Sequence, residues 1–253
     1  MYKKQTKTIY KINTMKQLLY TLAAFTLFTP SAFATCDDSI CDKPKNEFKY
    51  WEGFDIGVNG YMTPSNSLTV PANYQFLELD YARSRSIAWN MGQLNIPILK
   101  HHIQLVTGIG FEWNSYAFRN NWSLDTDSPM VTATEDNVDY SKNKLKTTWI
   151  NVPLLLEINT GKDEDKNFHL AAGVTGGYNI FRNRLKQEYS VNGTDSERKL
   201  KDDFNVNPFR CALTARMGIG HYTVYANYSI TELFKDNRGP ALHPFSAGIS
   251  LNF

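Results

Sequence analysis

Apolar and polar side chains alternate in several short stretches of the chain. The clearest stretch is the last of them, and its apolar members are Phe245, Ala247, Ile249, Leu251 and Phe253. Because successive side chains of a β-strand point to opposite faces, this pattern predicts a strand with one apolar face and one small or polar face. Such a strand is typical either of a half-buried soluble sheet or of the wall of a membrane β-barrel.

Seven further stretches alternate in the same way, so the pattern predicts eight strands. They cover Phe54–Val58, Phe76–Ile98, Ile103–Trp113, Ile150–Ile158, Leu170–Ile180, Cys211–Ile219, Tyr222–Ile230 and Phe245–Phe253. The second stretch is the least regular. Leu77 and Leu79 lie on its apolar face at the start of the stretch. After Gly92 the apolar residues move from the odd-numbered to the even-numbered positions, as a β-bulge would cause. We expect either one long bent strand there or an irregular segment that interrupts it.

Short and long connections alternate between the later strands. The short ones are residues 100–102, 160–167 and 220–221, and the longer, polar ones are residues 119–145, 187–206 and 234–243. Outer-membrane barrels have short periplasmic turns and long extracellular loops, and an even strand number leaves both termini on one side. The sequence therefore predicts an all-β fold, an eight-stranded antiparallel up-and-down transmembrane β-barrel. Its last strand would close the ring against Phe54–Val58, and both termini would lie in the periplasm.

The first residues have the features of an export signal. Lys16 precedes an apolar run at residues 18–28, and Ala32 and Ala34 form a small-x-small cleavage site. The run is shorter than the roughly 20 residues that a membrane-spanning helix needs, so it is typical of a signal peptide. We predict a signal peptide at 1–34, whose start is alternatively Met15, a periplasmic segment at 35–50 and a barrel domain at 51–253.

Composition is consistent with this interpretation. The mean hydropathy of −0.41 resembles that of a soluble protein, but in a membrane barrel only every second strand residue faces lipid. Aromatic residues make up 13% of the chain, which fits two interfacial girdles, and a net charge of +2 is too small to indicate nucleic-acid binding. Cys36 and Cys41 are predicted to form a disulfide in an oxidising compartment. Lipidation of Cys36 is the alternative, and Cys211 is expected to face lipid.

Four charged residues fall on the inner face of the predicted barrel: Glu112, Glu157, Arg210 and Arg216. A barrel of eight strands is too narrow for an open pore and is filled by side chains. Because burial of an unpaired charge is costly, we predict that these residues form a structural salt-bridge network that plugs the lumen. A gated ion path and a catalytic dyad are the alternatives. No cofactor and no metal site are predicted.

Little in the sequence indicates catalysis. The histidines are His101, His102, His169, His221 and His243, and all lie at or beside predicted turns or loops. None has the spacing to Ser or to an acid that known hydrolase motifs show. Arg83 and Arg85 face outward in the predicted parity. They would either meet lipopolysaccharide phosphates at the outer interface or be solvated in an irregular segment.

Several segments resemble the PorT-like outer-membrane β-barrel family of Bacteroidetes. The resemblance rests on LKTTWINVPLLLE at 145–157, LVTGIGF at 105–111, AAGVTGGY at 171–178 and YSITELF at 228–234. In that family an aliphatic-Pro-Leu-Leu-Leu strand precedes a short turn and a Gly-rich strand. The resemblance covers about residues 53–253 and implies the same fold and location. The name-giving member assists a type IX secretion system, and that role is not transferred here.

The leading hypothesis is an integral, non-enzymatic outer-membrane barrel with a structural, adhesion or secretion-accessory role. The alternatives are a lipid-modifying barrel enzyme and a soluble, lipocalin-like periplasmic carrier. Expected partners are outer-membrane lipid and lipopolysaccharide, a secretion-system or surface partner, and the barrel-assembly machinery. That machinery would recognise the strand that carries Ile249, Leu251 and Phe253, which resembles a known C-terminal assembly signal.

Overall fold

The computed structural model describes residues 49–99, 102–161, 166–191 and 193–253. These residues form one short 3-10 helix, Ala72–Leu77, and twelve strands. The strands are β1 Gly53–Met62, β2 Arg85–Leu99, β3 Ile103–Ala117, β4 Trp122–Leu124, β5 Ala133–Glu135, β6 Tyr140–Asn159, β7 Phe168–Asn179, β8 Asn183–Val191, β9 Thr194–Asp202, β10 Phe209–Ile219, β11 Tyr222–Ser229 and β12 His243–Asn252. None of the described helices has the length and apolarity to cross a membrane.

Two sequence predictions lie outside the described residues. They are the signal peptide at 1–34 and the disulfide between Cys36 and Cys41, and both stay predictions. The same holds for most of the predicted periplasmic segment, of which only residues 49 and 50 are described.

Eight strands pair in a closed antiparallel ring, in the order β1, β2, β3, β6, β7, β10, β11, β12 and back to β1. The predicted all-β barrel is therefore confirmed. The seam lies where the sequence predicted it, because β12 pairs with β1 from Phe54 opposite Leu251 to Val58 opposite Ala247. Closure leaves no ring strand with an unpaired edge, which is what a sheet in a lipid environment requires.

The two faces of the ring differ as the alternation predicted. Side chains that point outward are largely apolar and exposed, among them Phe54, Ile56, Trp89, Ile109, Trp113, Val152, Leu154, Leu170, Leu213, Val224, Ile249 and Leu251. Inward positions of the same strands are buried and mostly polar, for example Asn90, Asn151 and Ser250. A soluble barrel has the opposite arrangement, because its apolar residues form the core and its polar residues face water.

The ring has two unlike ends. At the short-turn end, residues 100–102, 160–167 and 220–221 join neighbouring strands, and β1 begins beside the end of β12. At the long-loop end, the connections are residues 63–84, 118–139, 180–208 and 230–242. The predicted alternation of short and long connections is confirmed.

Two of the predicted loops contain strands. Residues 187–206 were expected to form a charged loop, but most of them belong to the β8–β9 hairpin, which pairs with the first part of β6 at Tyr140–Lys146. Residues 119–145 contain the small β4–β5 hairpin as well as the start of β6. The strands β8 and β9 carry charged or polar side chains on both faces, and β4 and β5 have only three residues each, so none of them shows the long apolar alternation of the ring strands.

The irregular stretch around residues 76–98 resolves into two parts. β2 begins only at Arg85, and its register shifts between Met91 and Leu94, where Gly92 has a φ of 61°. The predicted bulge is confirmed, and a glycine suits it because other residues rarely adopt a positive φ. Before β2, the expectation for Leu77 and Leu79 was wrong. Both are buried beneath the loops, because the chain there forms the 3-10 helix and a single bridge to Phe118.

An apolar core fills the long-loop end. It is built from loop residues and the ends of the strands, namely Tyr61, Val70, Leu77, Leu79, Tyr116, Phe118, Leu124, Val131, Leu145, Trp149, Leu185, Phe204, Val206, Leu233, Phe234 and Leu242. We call this group the loop core. It gives the long loops a fixed arrangement over the mouth of the ring, since burial of that much apolar surface is a strong driving force.

Candidate functional site: the polar lumen

The half of the lumen nearer the loop core holds the first of two buried ion pairs. Arg210 of β10 reaches Glu112 of β3 with both terminal nitrogens, and the Nη1–Oε1 distance is 3.0 Å. The amides of Asn114 and Asn151 each donate to Glu112 at 2.6 Å. The indole of Trp149 lies 4.7 Å from the guanidinium carbon, as in a cation–π contact.

Arg210 can cross the lumen because its neighbour on β7 has no side chain. Arg210 lies opposite Gly177, and a Cβ at that position would come within 3.4 Å of Arg210 Nε and 2.7 Å of Asn151 Oδ1. The Gly-rich sequence of β7 therefore leaves room for the guanidinium to pass over the strand towards β3. This is a close approach that any larger residue would obstruct.

The half of the lumen nearer the short turns holds the second ion pair. Arg216 of β10 binds Asp55 of β1 with two parallel bonds, at 2.9 Å from Nη1 to Oδ2 and 3.1 Å from Nη2 to Oδ1. Asn90 donates to Asp55 at 2.9 Å, and Arg216 donates to the Ser250 hydroxyl at 2.7 Å. Two-pronged binding of this kind is the strongest geometry that a guanidinium and a carboxylate form.

Glu157 takes part in neither pair. Its Oε1 accepts hydrogen bonds from the amides of Gln104 at 2.6 Å and Asn159 at 2.9 Å, and no described cation forms an ion pair with it. The four predicted lumen residues all point inward, but the structure brings only Glu112 and Arg210 together. The partner of Arg216 is Asp55, whose inward parity was visible in the sequence and would have identified it as a fifth lumen charge.

Residues just before β1 close the short-turn end. The Tyr50 ring stacks on His169 at 3.8 Å between ring centroids, with an interplanar angle of 6°. The Trp51 ring lies 5.0 Å from the guanidinium carbon of Arg216. The backbone amides of Trp51 and Glu52 both donate to Gln93 Oε1, at 2.7 and 3.1 Å. Each arginine of the lumen is therefore covered by one tryptophan, Arg210 by Trp149 and Arg216 by Trp51.

Little space remains between the two ion pairs. The cavity there, lined by Asp55, Glu112, Arg210 and Tyr225 among others, has a volume of about 30 Å³. A buried water needs roughly 10–15 Å³ by the same measure, so the cavity has room for one or two waters. The described side chains thus fill most of the lumen between the two ion pairs.

All four carboxylate oxygens of the two pairs accept hydrogen bonds from an arginine. Each oxygen of Glu112 accepts from an asparagine and from Arg210, and both oxygens of Asp55 accept from Arg216. Both carboxylates are therefore held in ion pairs within the chain. The arrangement is suited to holding the strands of the ring together across the lumen.

The histidines of the described residues form no hydrogen bond with the charged groups of either pair. His169 Nε2 bonds to the Thr223 hydroxyl at 2.8 Å, and His102 and His243 bond to backbone carbonyl oxygens at 3.1 Å. In the part of the chain that the structure describes, no three His, Cys, Asp or Glu side chains are grouped as metal ligands would be. His101 lies outside the described residues.

The remaining predicted positions lie on the outer face. Ile249, Leu251 and Phe253 point outward along the seam, and the Phe253 ring lies 5.8 Å from the ring of Phe54. Cys211, a free cysteine, is half-buried at an outward position of β10. Arg85 is exposed on the outer face at the start of β2, and Arg83 precedes it in an irregular turn.

Comparison with known proteins gives one match. A family model described as an outer membrane protein beta-barrel domain matches residues 46–235, which include both ion pairs and the strands β1 to β11. No curated protein and no solved structure matches the chain.

Proposed function

The chain belongs to the family of outer-membrane protein β-barrel domains, and we propose that it serves in that membrane as a non-enzymatic, plugged barrel. As an integral outer-membrane protein it has an apolar belt that faces lipid. In this proposal its work is done at its surfaces, by the long loops and by the outer face. The role is structural or adhesive, or that of an accessory in secretion.

One observation carries the proposal: the lumen is filled. Two buried ion pairs cross it, the loop core covers one end, and Tyr50 and Trp51 occupy the other. The remaining cavity of about 30 Å³ is too small for a solute larger than water. We expect the purified protein to give no stable conductance steps in a planar lipid bilayer. Steady ion conductance by the wild-type protein would contradict a plugged barrel.

The long-loop end is proposed to face the cell exterior, and both termini the periplasm. The support is the difference in connection length between the two ends, since outer-membrane barrels have their long loops outside. An epitope tag inserted beside Gly193 in the β8–β9 turn should be detected on intact cells. The same tag at the 160–167 turn should be detected only after the outer membrane is opened. The reverse result would invert the orientation.

A place among the PorT-like barrels of Bacteroidetes is a finer proposal. It is supported by residues 145–157 and 171–178, which form most of β6 and β7 on either side of a short turn, as the resemblance implies. Cross-linking in intact cells followed by pull-down tests a secretion-accessory role. Recovery of secretion components would support it, whereas recovery of the barrel alone would favour a structural or adhesive role.

Absence of catalysis is likewise proposed, and a lipid-modifying enzyme is the alternative to exclude. Support comes from the ion pairs that hold Glu112 and Asp55 and from histidines that contact Thr223 or backbone carbonyl oxygens. Mass spectrometry of lipid A from a deletion strain should show an unchanged profile. Loss or gain of an acyl chain or phosphate would argue for an enzyme.

Assembly through β12 completes the proposal. The barrel-assembly machinery would recognise the outward row of Ile249, Leu251 and Phe253, which lies along the seam. Replacement of Phe253 by Ser should lower the amount of folded protein in the outer membrane without changing the stability of molecules that do assemble. A soluble carrier would need its apolar residues inside, whereas those of the ring point outward.

A further inference from the structure

The outer face near the long-loop end carries a line of cations across five strands. Neighbouring positions pair Arg85 with Ser115, Ser115 with Lys146, Lys146 with Arg184, and Arg184 with Lys201. Arg85, Lys146, Arg184 and Lys201 are exposed on the same side of the sheet, and we call them the cationic row. With strands about 4.8 Å apart, the row extends over roughly 19 Å.

The cationic row borders the apolar belt. Two residues further along their strands, on the same face, lie Ile87, Trp113 and Thr148, which are also cross-strand neighbours. The exposed fractions of Ile87 and Trp113 are 46% and 43%. The row therefore lies where apolar, lipid-facing wall gives way to polar surface, which is the level of lipid head groups.

Further from the belt, several lysines of the same face have carboxylate partners within the chain. Lys186 forms ion pairs with Glu188 at 2.7 Å and with Glu197 at 2.8 Å. Lys199 pairs with Glu197 at 3.0 Å, and Lys142 pairs with Glu188 at 2.6 Å. These five residues, which we call the paired rows, offset much of their own charge within the chain.

The cationic row has no such partners. No carboxylate of the described residues forms an ion pair with Arg85, Lys146, Arg184 or Lys201, although Lys146 and Arg184 are directly opposite each other. Like charges at directly opposite positions of a sheet are destabilising. An anion from outside the chain would relieve this repulsion, because the described part of the chain supplies no carboxylate partner for the row.

A groove lies against the row. Its volume is about 440 Å³, and its walls combine Arg85, Lys146, Arg182 and Arg184 with the apolar surfaces of Ile87, Trp113 and Phe181. Phe181 projects from the β7–β8 connection and is 61% exposed. Guanidinium groups are well shaped for phosphate oxygens, and the apolar wall is suited to acyl chains.

From the row and the groove together, we infer a binding site for a membrane glycolipid that carries more than one phosphate on its head group. Phosphates of one head group reach across the span between Arg85 and Arg184, and the acyl chains lie along Ile87 and Trp113. A single phosphate would leave most of the row without a counter-charge. The inference rests on the proposed function in one respect, namely that the protein lies in the outer membrane, whose outer leaflet supplies the lipid. Binding itself is measured on purified protein.

Native mass spectrometry of the full chain in neutral detergent tests the site. The probes are bisphosphorylated lipid A and the same lipid after its phosphates have been removed. We expect the wild-type protein to retain the bisphosphorylated form alone. A variant with Arg85→Gln, Lys146→Gln and Arg184→Gln should bind it roughly 100-fold more weakly, since each cation near an anionic lipid adds to the affinity.

A matched variant shows whether position or total charge matters. Lys142→Gln, Lys186→Gln and Lys199→Gln remove the same charge from the same face, but from the paired rows, and should change affinity less than about 3-fold. Heat-modifiable mobility on gels checks that both variants are folded. Equal loss in the two variants, unchanged binding in the first, or equal retention of the dephosphorylated lipid would overturn the site. None of these outcomes bears on bilayer conductance, which tests the proposed function separately.

Discussion

Charged side chains are arranged in opposite ways inside the ring and on its outer face. Inside, Arg210 and Arg216 each have a carboxylate partner within the chain and a tryptophan over the guanidinium. Outside, the cationic row beside the apolar belt has no carboxylate partner among the described residues. The same residue type is thus used for two purposes, and the difference lies in what surrounds it.

Access to outside ligands accounts for the contrast. The lumen admits one or two waters at most, so a charge there must be neutralised by the chain itself, or the ring would contain an unpaired buried ion. The cationic row lies on a surface where mobile anions and lipid head groups are available. The partners inside fit a structural role, and the lack of carboxylate partners outside is the basis of the proposed lipid site.

The largest loss of stability is expected when a lumen charge is left without its partner, as the charges of the cationic row are. Arg216→Ala removes the guanidinium and leaves Asp55 buried with only Asn90 as a donor. Loss of one partner of a buried pair costs about 3–5 kcal/mol of the free energy of unfolding. Unfolding in urea with detergent-solubilised protein, followed by the heat-modifiable gel shift, measures this loss.

A double variant is the control for that prediction. Arg216→Met combined with Asp55→Leu removes both charges, and replacement of a whole buried pair by apolar residues is often neutral or stabilising. The urea concentration at the midpoint of its unfolding should therefore lie much closer to the wild-type value than that of Arg216→Ala does. If the single and double variants were equally unstable, the pair would matter for packing and not for charge.

A smaller effect is expected when the lumen is opened at one end. Trp51→Ala removes the ring that covers Arg216 and closes the short-turn end, and truncation of a buried tryptophan costs about 3 kcal/mol. The variant should also admit more water, so short, irregular conductance events in a planar bilayer are expected. Trp51→Phe keeps an aromatic face over the guanidinium and should lose less than half as much stability. Equal losses in the two variants would contradict the stacking role.

Much of the ring was predictable from a two-residue period. Phe54 to Val58 and Phe245 to Phe253 face lipid at every second position, and the seam between them follows from ring closure. The bulge at Gly92 was visible as a change of parity. A shift of the strand pairing by one residue would turn every lipid-facing side chain of that strand into the lumen. The sequence therefore specifies this part of the fold strongly.

The pairing inside the lumen was less predictable. Parity assigns Asp55, Glu157 and Arg216 to the inner face, but their distances across the lumen depend on the tilt and stagger of the strands. Glu157 and Arg216 were predicted to belong to one network, yet Arg216 pairs with Asp55 on the far side of the seam. The alternation along a strand shows which face a side chain occupies. To predict its partner across the lumen, one also needs the register of every strand that lies between the two residues.

The β8–β9 hairpin was missed for a different reason. The inward residues of β8 include Leu185, Gln187 and Tyr189. Of these three, only Leu185 is an aliphatic residue packed in the loop core. Polar inward residues are characteristic of the ring as well, but there the outward residues are apolar and reveal the strand. Where both faces are polar, pattern alone does not distinguish a strand from a solvated loop.

The smallest effect is expected on the outer face, where solvent screens the charges. Hydrogen bonds from Lys142 and then Lys186 lower the pKa of Glu188 to about 2. A carboxylate whose pKa is lower in the folded state stabilises that state at neutral pH and loses this contribution as pH falls from about 4.5 towards 2. Amide hydrogen-exchange protection of the hairpin should therefore decrease between pH 6 and pH 3, while protection of the ring strands stays constant.

Glu188→Gln separates this titration from other acid effects. The variant should show weaker protection in β8 and β9 at pH 6, and a smaller further loss on acidification than wild type, because the neutral amide cannot titrate. Glu135→Gln in β5 is the matched control, since Glu135 forms no ion pair with the described residues and its loss should leave the hairpin unchanged. If Glu188→Gln retained the full pH dependence, the titration would have to come from another carboxylate that pairs with the hairpin, either Glu197 with Lys186 and Lys199 or Asp136 with Arg198. The contrast between the paired rows and the cationic row would then not depend on Glu188.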